Sequence, residues 1–273
     1  MKIGVLGPRG TYSEMAASSA FKAKGEIVTY PMIFDVVEAV ARRKVNAGVI
    51  PVESMREGSV VEALDALAWS KVKVKAEIVM PIRHALLGVK GAKIEGITQV
   101  LSHPQALAQC RDFLKKSLSK AELIEMPSTA KAAEQVSKLN QPNVAVIGPK
   151  ALAKIYGLKV LLDDIKTGER NITRFLQIAE EDSKRTGHDK TSIVFTTRAD
   201  RPGILYEILG EFASREINLT KVESRPSKKA LGDYLFFVDF EGHREDRKVR
   251  EALREIQKNT AMLRIIGSYP RKF

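Results

Sequence analysis

Asn171-Ile172-Thr173-Arg174-Phe175 places an amide, a hydroxyl, a guanidinium and an aromatic ring in five consecutive positions. Binding and protonating a small anion needs these groups. In a strand, alternate side chains share a face, so Asn171, Thr173 and Phe175 point one way while Ile172 and Arg174 point the other. Thr173 then stands between an amide and a flat apolar wall. Thr, Arg and Phe are also ordinary strand residues, so the run gains meaning only beside three other polar loops.

The first loop is Gly7-Pro8-Arg9-Gly10-Thr11-Tyr12-Ser13-Glu14. Gly10 allows backbone to approach a ligand, and Thr11 or Ser13 can cap the following helix while offering a hydroxyl to a carboxylate. The loop lacks the lysine and glycine spacing of a nucleotide-binding P-loop, which argues against ATP. The second, Pro51-Val52-Glu53-Ser54-Met55-Arg56, follows an apolar run. Glu53 is there either an acid or base in a pocket that raises its pKa, or a capping and salt-bridging group. The third is Ser102-His103-Pro104-Gln105-Ala106-Leu107. Its proline suits the first helical turn, which leaves N–H groups for an anion. His103 has no second histidine at metal-ligand spacing, so a hydrogen-bonding role is expected. No Ser, His and Asp set stands out as a nucleophilic triad.

The elements that position these loops alternate along the first 180 residues. Apolar β-type runs fall at 3–6, 27–30, 47–51, 72–79, 85–89, 99–102, 122–125, 143–147, 160–162 and 173–178. Amphipathic helical stretches lie between them, among others at 12–23, 33–43, 59–69, 104–117 and 130–139. This pattern predicts an α/β fold with helices covering a sheet, whose ligands bind outside the carboxyl ends of the strands. Residues 180–190 contain no apolar side chain and read as a linker. The pattern then restarts with strands at 191–197, 218–224, 234–240 and 261–268 and helices at 202–216 and 244–258. That βαββαβ order is ferredoxin-like, and such an open sheet is expected to cover an edge or face with a second copy.

Composition narrows the function classes. With 273 residues, 44% of them apolar, the chain has material for two domains. The net charge of +12 is dispersed and interleaved with acids, so no nucleic-acid partner is expected; it would draw in a dicarboxylate. No leader is evident, and no run approaches the roughly 20 apolar residues of a membrane span, so a cytoplasmic protein without membrane contact is expected. The single cysteine, Cys110, fits a reducing compartment and reads as a small buried hydrophobe. Thirteen Asn and Gln beside 29% charged residues lean towards heat resistance.

Taken in order, Gly7-Pro8-x-Gly10-Thr11-Tyr12-Ser13, Pro51-Val52-Glu53, Ser102-His103-Pro104-Gln105-Ala106-Leu107 and Asn171-x-Thr173-Arg174-Phe175 resemble the motifs of the prephenate dehydratase family. Gly203-Ile204-Leu205-Tyr206 and Glu223-Ser224-Arg225-Pro226 resemble its phenylalanine-binding ACT domain. The resemblance implies a two-lobed catalytic domain over 1–181, similar to periplasmic binding proteins, a linker over 182–190 and an ACT domain over 191–273. It implies conversion of prephenate to phenylpyruvate with loss of carbon dioxide and water, without metal or organic cofactor. Thr173 would be the essential residue and Glu53 a second catalytic group. Gly10, Thr11, Tyr12, Ser13, Ser54, Ser102, Asn171, Arg174 and Phe175 would bind substrate. Gly203, Ile204, Leu205, Asn218, Leu219, Glu223, Ser224, Arg225 and Pro226 would bind L-phenylalanine, in a homodimer or homotetramer joined through ACT domains. Two positions depart from the family pattern: Ser54-Met55 stands where Asn-Ser is usual, and Thr167 where Asp is common. Rival expectations are an arogenate dehydratase and a non-catalytic amino-acid sensor.

Overall fold

The computed structural model describes residues 1–22, 24–165, 171–228 and 232–272; Thr167 lies outside them. Strands β1 (Lys2–Leu6), β2 (Glu26–Tyr30), β3 (Ala47–Ser54), β4 (Gly58–Ser59) and β5 (Lys73–Pro81) alternate with helices α1 (Tyr12–Ala20), α2 (Ile33–Ala41) and α3 (Val61–Trp69). Next come β6 (Ala85–Gly88), β7 (Gln99–Ser102), β8 (Glu122–Glu125), β9 (Val144–Gly148) and β10 (Lys159–Leu162), with α4 (Pro104–Gln109), α5 (Arg111–Ser117), α6 (Thr129–Leu139) and α7 (Ala151–Tyr156). The chain returns as β11 (Ile172–Ala179) and ends with β12 (Asp189–Thr197), α8 (Ile204–Ala213), β13 (Leu219–Pro226), β14 (Tyr234–Glu241), α9 (Arg247–Asn259) and β15 (Thr260–Pro270).

Three open sheets result. The first has the order β2-β1-β3-β11-β5 with β4 on β3, the second β10-β6-β9-β7-β8, and the third β13-β14-β12-β15. The two sheets of the first 179 residues, with β11 rejoining the first, follow the expected two-lobed plan.

The second sheet shows why its strands are continuously apolar. Leu87, Leu101, Val144 and Val146 pack with Ala130, Ala133 and Val136 of α6. Their neighbours Leu86, Val100, Ala145 and Ile147 pack with Leu107, Cys110 and Leu114 of α4 and α5. Alternation between two helical layers therefore buries both faces.

In the third sheet Ile193, Phe195, Val238 and Phe240 lie against Ile204, Ile208 and Phe212 of α8 and Val249, Leu253 and Ile256 of α9. The helical residues recur at the three- and four-residue spacing of a core-facing stripe.

By contact the chain divides into two compact units: 1–36 with 49–60 and 79–175, and 37–48 with 61–78 and 176–273. Within the second unit, α3 and β5 reach the C-terminal sheet directly. Lys73 Nζ donates to the Ile265 carbonyl at 2.5 Å and Arg264 Nη1 to that of Ala68 at 2.8 Å. Asp65 pairs with Lys228 at 2.8 Å and Arg225 at 3.5 Å. The sheet thus meets a segment of its own chain, and its edges are β13 and β15.

Several boundaries differ from expectation. The helix expected over 104–117 is two helices, because Cys110 (φ −96°, ψ 12°) leaves helical geometry, closing α4 and opening α5. The helix expected from residue 59 begins at Val61, since Ser59 and Gly58 pair with Glu53 and Ser54. The first helix ends at Ala20 rather than at 23, which lies outside the described residues. The six-residue α7 was not foreseen.

The expected linker ends early, because Asp189 and Lys190 open β12 and are only 4% and 1% exposed. Their charges are satisfied. Lys190 Nζ lies 3.2 Å from Glu77 Oε2, and the Asp189 carboxylate accepts from Thr186 Oγ1 at 2.6 Å and Gly187 N at 3.0 Å. Polarity alone does not separate a paired, buried charge from a solvated one.

Candidate active site

Strand β11 runs between β3 and β5 and carries Thr173. Thr173 is half-buried, and its hydroxyl makes no hydrogen bond among the described residues. The side-chain oxygens of Thr11, Tyr12, Ser54 and Ser102 in these motifs have partners. Thr11 caps α1, its Oγ1 accepting from Glu14 N at 3.5 Å while donating to the Leu6 carbonyl at 3.0 Å. Tyr12 Oη donates to the Arg83 carbonyl at 2.5 Å. Ser102 is fully enclosed and donates to the Ile147 carbonyl at 2.5 Å. Ser54 Oγ accepts from Arg56 N at 3.4 Å, and Ser13 is buried in α1.

The four loops converge through side chains and backbone. Asn171 Nδ2 donates to Gln109 Oε1 at 2.8 Å, and His84 Nε2 lies 2.8 Å from the same oxygen. The Tyr12 ring stands edge-on to His84, with centroids 6.1 Å apart. Gln109 ends the helix that begins at Pro104, His103 being its N-cap. Met55 N donates to the Ile172 carbonyl at 2.9 Å, which ties the second loop to the fourth. Gly10, at φ +84°, would place a Cβ 2.5 Å from Leu152, so only glycine suits this point of the first loop. Its N–H is already taken by the Glu14 carboxylate.

Arg174 and Phe175 depart from the expected substrate set. Arg174 points away from Thr173, as strand alternation requires, and its guanidinium is 8% exposed and 3.3 Å from Glu53 Oε2. Glu53 keeps 40% of its side chain exposed and acts as the ion-pair partner. Phe175 is 2% exposed, a core side chain rather than an open wall.

The surroundings hold the cluster in neutral form. Burial lowers the His84 pKa, and the nearby Arg56 guanidinium pushes the same way against the Gln109 hydrogen bond. Burial pushes the Cys110 thiol up to about 12 and raises the Tyr12 phenol. The Thr173 hydroxyl, without a partner among the described residues, together with the amide groups and the Arg56 cation near His84, suits an anionic substrate that loses a hydroxyl. His84, Arg56 and Gln109 were missed in the sequence. A single histidine before an apolar strand reads as a core residue, and Gln109 lies two positions beyond its motif.

The C-terminal unit divides the expected effector set. A cavity of about 310 Å³ is lined by Asp200, Ile204, Ser227, Tyr234, Phe236, Met262 and Trp69, a size in the range of ligand pockets. Gly203, at φ +83°, opens α8 beside it. Pro226 pairs with Tyr234 at this end of the sheet, whereas Leu219 pairs with Phe240 at the other. Asn218 therefore lies seven or more residues of extended strand away, about 23 Å, and its side chain donates to Glu241 at 3.1 Å. Glu223 pairs with Lys221 at 3.1 Å and Arg225 with Asp65. Leu205 is half-buried and Ser224 exposed. One amino acid cannot touch Asn218 and Ile204 of the same protomer.

Among the described residues no cluster of three His, Cys, Asp or Glu is placed to hold a metal ion, and no helix is long and apolar enough to cross a membrane.

Comparison with known proteins places these observations. Residues 3–183 match the family model for prephenate dehydratase and residues 191–257 the model for the ACT domain. A bifunctional chorismate mutase/prephenate dehydratase of Aquifex aeolicus is 43% identical over 99% of this chain and 74% of its own length. A prephenate dehydratase of Methanocaldococcus jannaschii is 41% identical over 96% of both. The crystal structure of the Arthrobacter aurescens prephenate dehydratase in complex with L-Phe superposes with a TM-score of 0.92 at 33% identity, covering 99% of this chain and 90% of that one. The chain belongs to the prephenate dehydratase family.

Proposed function

We propose that this chain converts prephenate to phenylpyruvate with loss of carbon dioxide and water, and that L-phenylalanine controls it through the C-terminal domain. Support comes from its family and from one observation: four polar motifs meet around a strand whose Thr173 hydroxyl has no hydrogen-bond partner among the described residues. As the ring carboxylate of prephenate leaves, its bonding electrons enter the ring and the carbon–oxygen bond to the ring hydroxyl breaks. The product ring becomes aromatic. Thr173 hydrogen-bonds the departing oxygen, which leaves with the carbon–oxygen bonding pair as hydroxide and takes a proton from solvent to become water, and the fixed amides hold the substrate so that both bonds break together. Arg56 supplies positive charge close enough to lower the His84 pKa. Arg174 and Glu53 stiffen the strand from its other face.

Catalysis is assigned to residues 1–181 and regulation to 191–273, the connecting segment being fastened by the buried start of β12. L-phenylalanine is assigned to the Gly203 end of the C-terminal sheet, where apolar side chains line a cavity of about 310 Å³. A homodimer or larger assembly through the edges of that sheet and a cytoplasmic setting complete the reading. Incubating pure protein with prephenate, with and without L-phenylalanine, tests both halves. Phenylpyruvate should form, and the effector should suppress it. Turnover of arogenate alone would point to the aminated substrate, and turnover of neither would leave an amino-acid sensor.

A further inference from the structure

Gln109 Oε1 has two lone pairs and two neighbours, Asn171 Nδ2 and His84 Nε2, each at 2.8 Å. An amide oxygen only accepts, so the shared proton of the second contact belongs to His84 Nε2. Nδ1 is then the bare nitrogen of a neutral imidazole. It is buried without a hydrogen-bond partner, and so is Asn171 Oδ1. His84 is 4% exposed and Asn171 6%.

We propose that His84 is the positioning residue of the active site: its Nε2–H holds the Gln109 amide, and Gln109 holds Asn171, two residues from Thr173 on the same strand face. This rests on the assignment of Asn171 and Thr173 to the substrate site. A second proton would have to sit on Nδ1, which is buried without a hydrogen-bond partner. The neighbours are Tyr12 from α1, with its hydroxyl given to Arg83, then Cys110 at the α4–α5 junction, and Arg56 after β3. Burial raises the Tyr12 phenol and the Cys110 thiol, so both stay neutral throughout the acid range. Protonation therefore falls on His84 alone in this cluster; the Nε2–H bond to Gln109 persists, but the charged ring is repelled by Arg56, and its displacement carries the Gln109–Asn171 pair with it.

Steady-state kinetics of the full chain and its His84→Gln and His84→Leu variants on prephenate, across pH, test this. The Gln side-chain amide can present an N–H where the imidazole Nε2 stands, without titrating. His84→Gln should keep KM and most of kcat and lose the acid limb of the kcat profile. His84→Leu should lose kcat by about 10²-fold, the cost of a misplaced group, with little change in KM. Equal kcat in His84→Leu and the parent, or an acid limb unchanged in His84→Gln, overturns the proposal. Nitrogen NMR of the parent, with four histidines to resolve, should show an Nε2–H tautomer for His84 at neutral pH. An Nδ1–H or doubly protonated ring there overturns it whether or not the variants fold. Failure of the parent to use prephenate would instead sink the functional assignment, and the tautomer would still be read independently.

Discussion

Replacing Lys190 by Met should destabilise the protein more than any surface substitution, because its partner Glu77 has no exposed side-chain surface. Removing one member of a buried ion pair leaves an uncompensated charge, which costs roughly 3–5 kcal/mol. Glu77 Oε1 also accepts from Lys272 N at 2.7 Å, so Glu77 keeps charge-assisted hydrogen bonding in the variant. The loss therefore falls near the lower bound, about 3 kcal/mol, or a fall in Tm of about 6–12 °C at roughly 2–4 °C per kcal/mol for a chain of this size. The double variant Lys190→Met/Glu77→Leu removes both charges and fills the space with apolar atoms. It should recover most of the loss, since buried pairs are often neutral or unfavourable against apolar replacements. Calorimetry at neutral pH on the parent, both single variants and the double completes the cycle. If Lys190→Met melts with the parent, or the double falls as far as the single, the pair is not the buried, mutually dependent contact described above. Added salt should leave the result unchanged, because an enclosed pair is poorly screened.

Thr173→Ala should lower kcat by about 10²-fold or more with circular dichroism unchanged, while Thr173→Ser keeps a measurable part; comparable kcat for Ala and Thr would remove Thr173 from the chemistry. Arg174→Met should lower Tm through loss of the buried guanidinium and its ion pair to Glu53 and leave KM nearly unchanged, and a raised KM with normal Tm would return Arg174 to the substrate. Gly203→Val forces a β-branched residue to φ +83°. It should abolish inhibition by L-phenylalanine and the effector's influence on emission from Trp69, the chain's one tryptophan and a lining residue of that cavity, while prephenate turnover persists. Burial lowers the His84 pKa, so between that value and its ordinary 6.5 the unfolded chain binds more protons than the native one. Stability from this group is complete above about 6.5 and falls as the pH drops through the window. Urea titrations of His84→Gln should show a shallower acid decline than the parent.

Apolar periodicity made the sheets legible: the runs at 85–89, 99–102 and 143–147 are strands because both of their faces are covered by α4, α5 and α6. Periodicity failed where a few polar atoms decide. Lys190 reads as linker and is core, because Glu77, 113 residues earlier, supplies the countercharge. Cys110 reads as mid-helix and is a junction.

The site follows the same rule. Residue types in the motifs identified hydroxyls, an amide and a carboxylate, but not their hydrogen-bond commitments. Ser102 and Thr173 are both small hydroxyl residues on strands, yet one is bound to the Ile147 carbonyl 45 positions away and the other makes no such bond among the described residues. The partners that make this difference come from β9, from the end of α4 and from the residue before β6. None lies within a motif's own reach. Where a hydroxyl must be free to act on a leaving group, the deciding information is therefore carried by the residues that occupy its competitors. His84 and Gln109, which lie outside every motif, hold the Asn171 amide by its Nδ2, two residues before Thr173 in the chain.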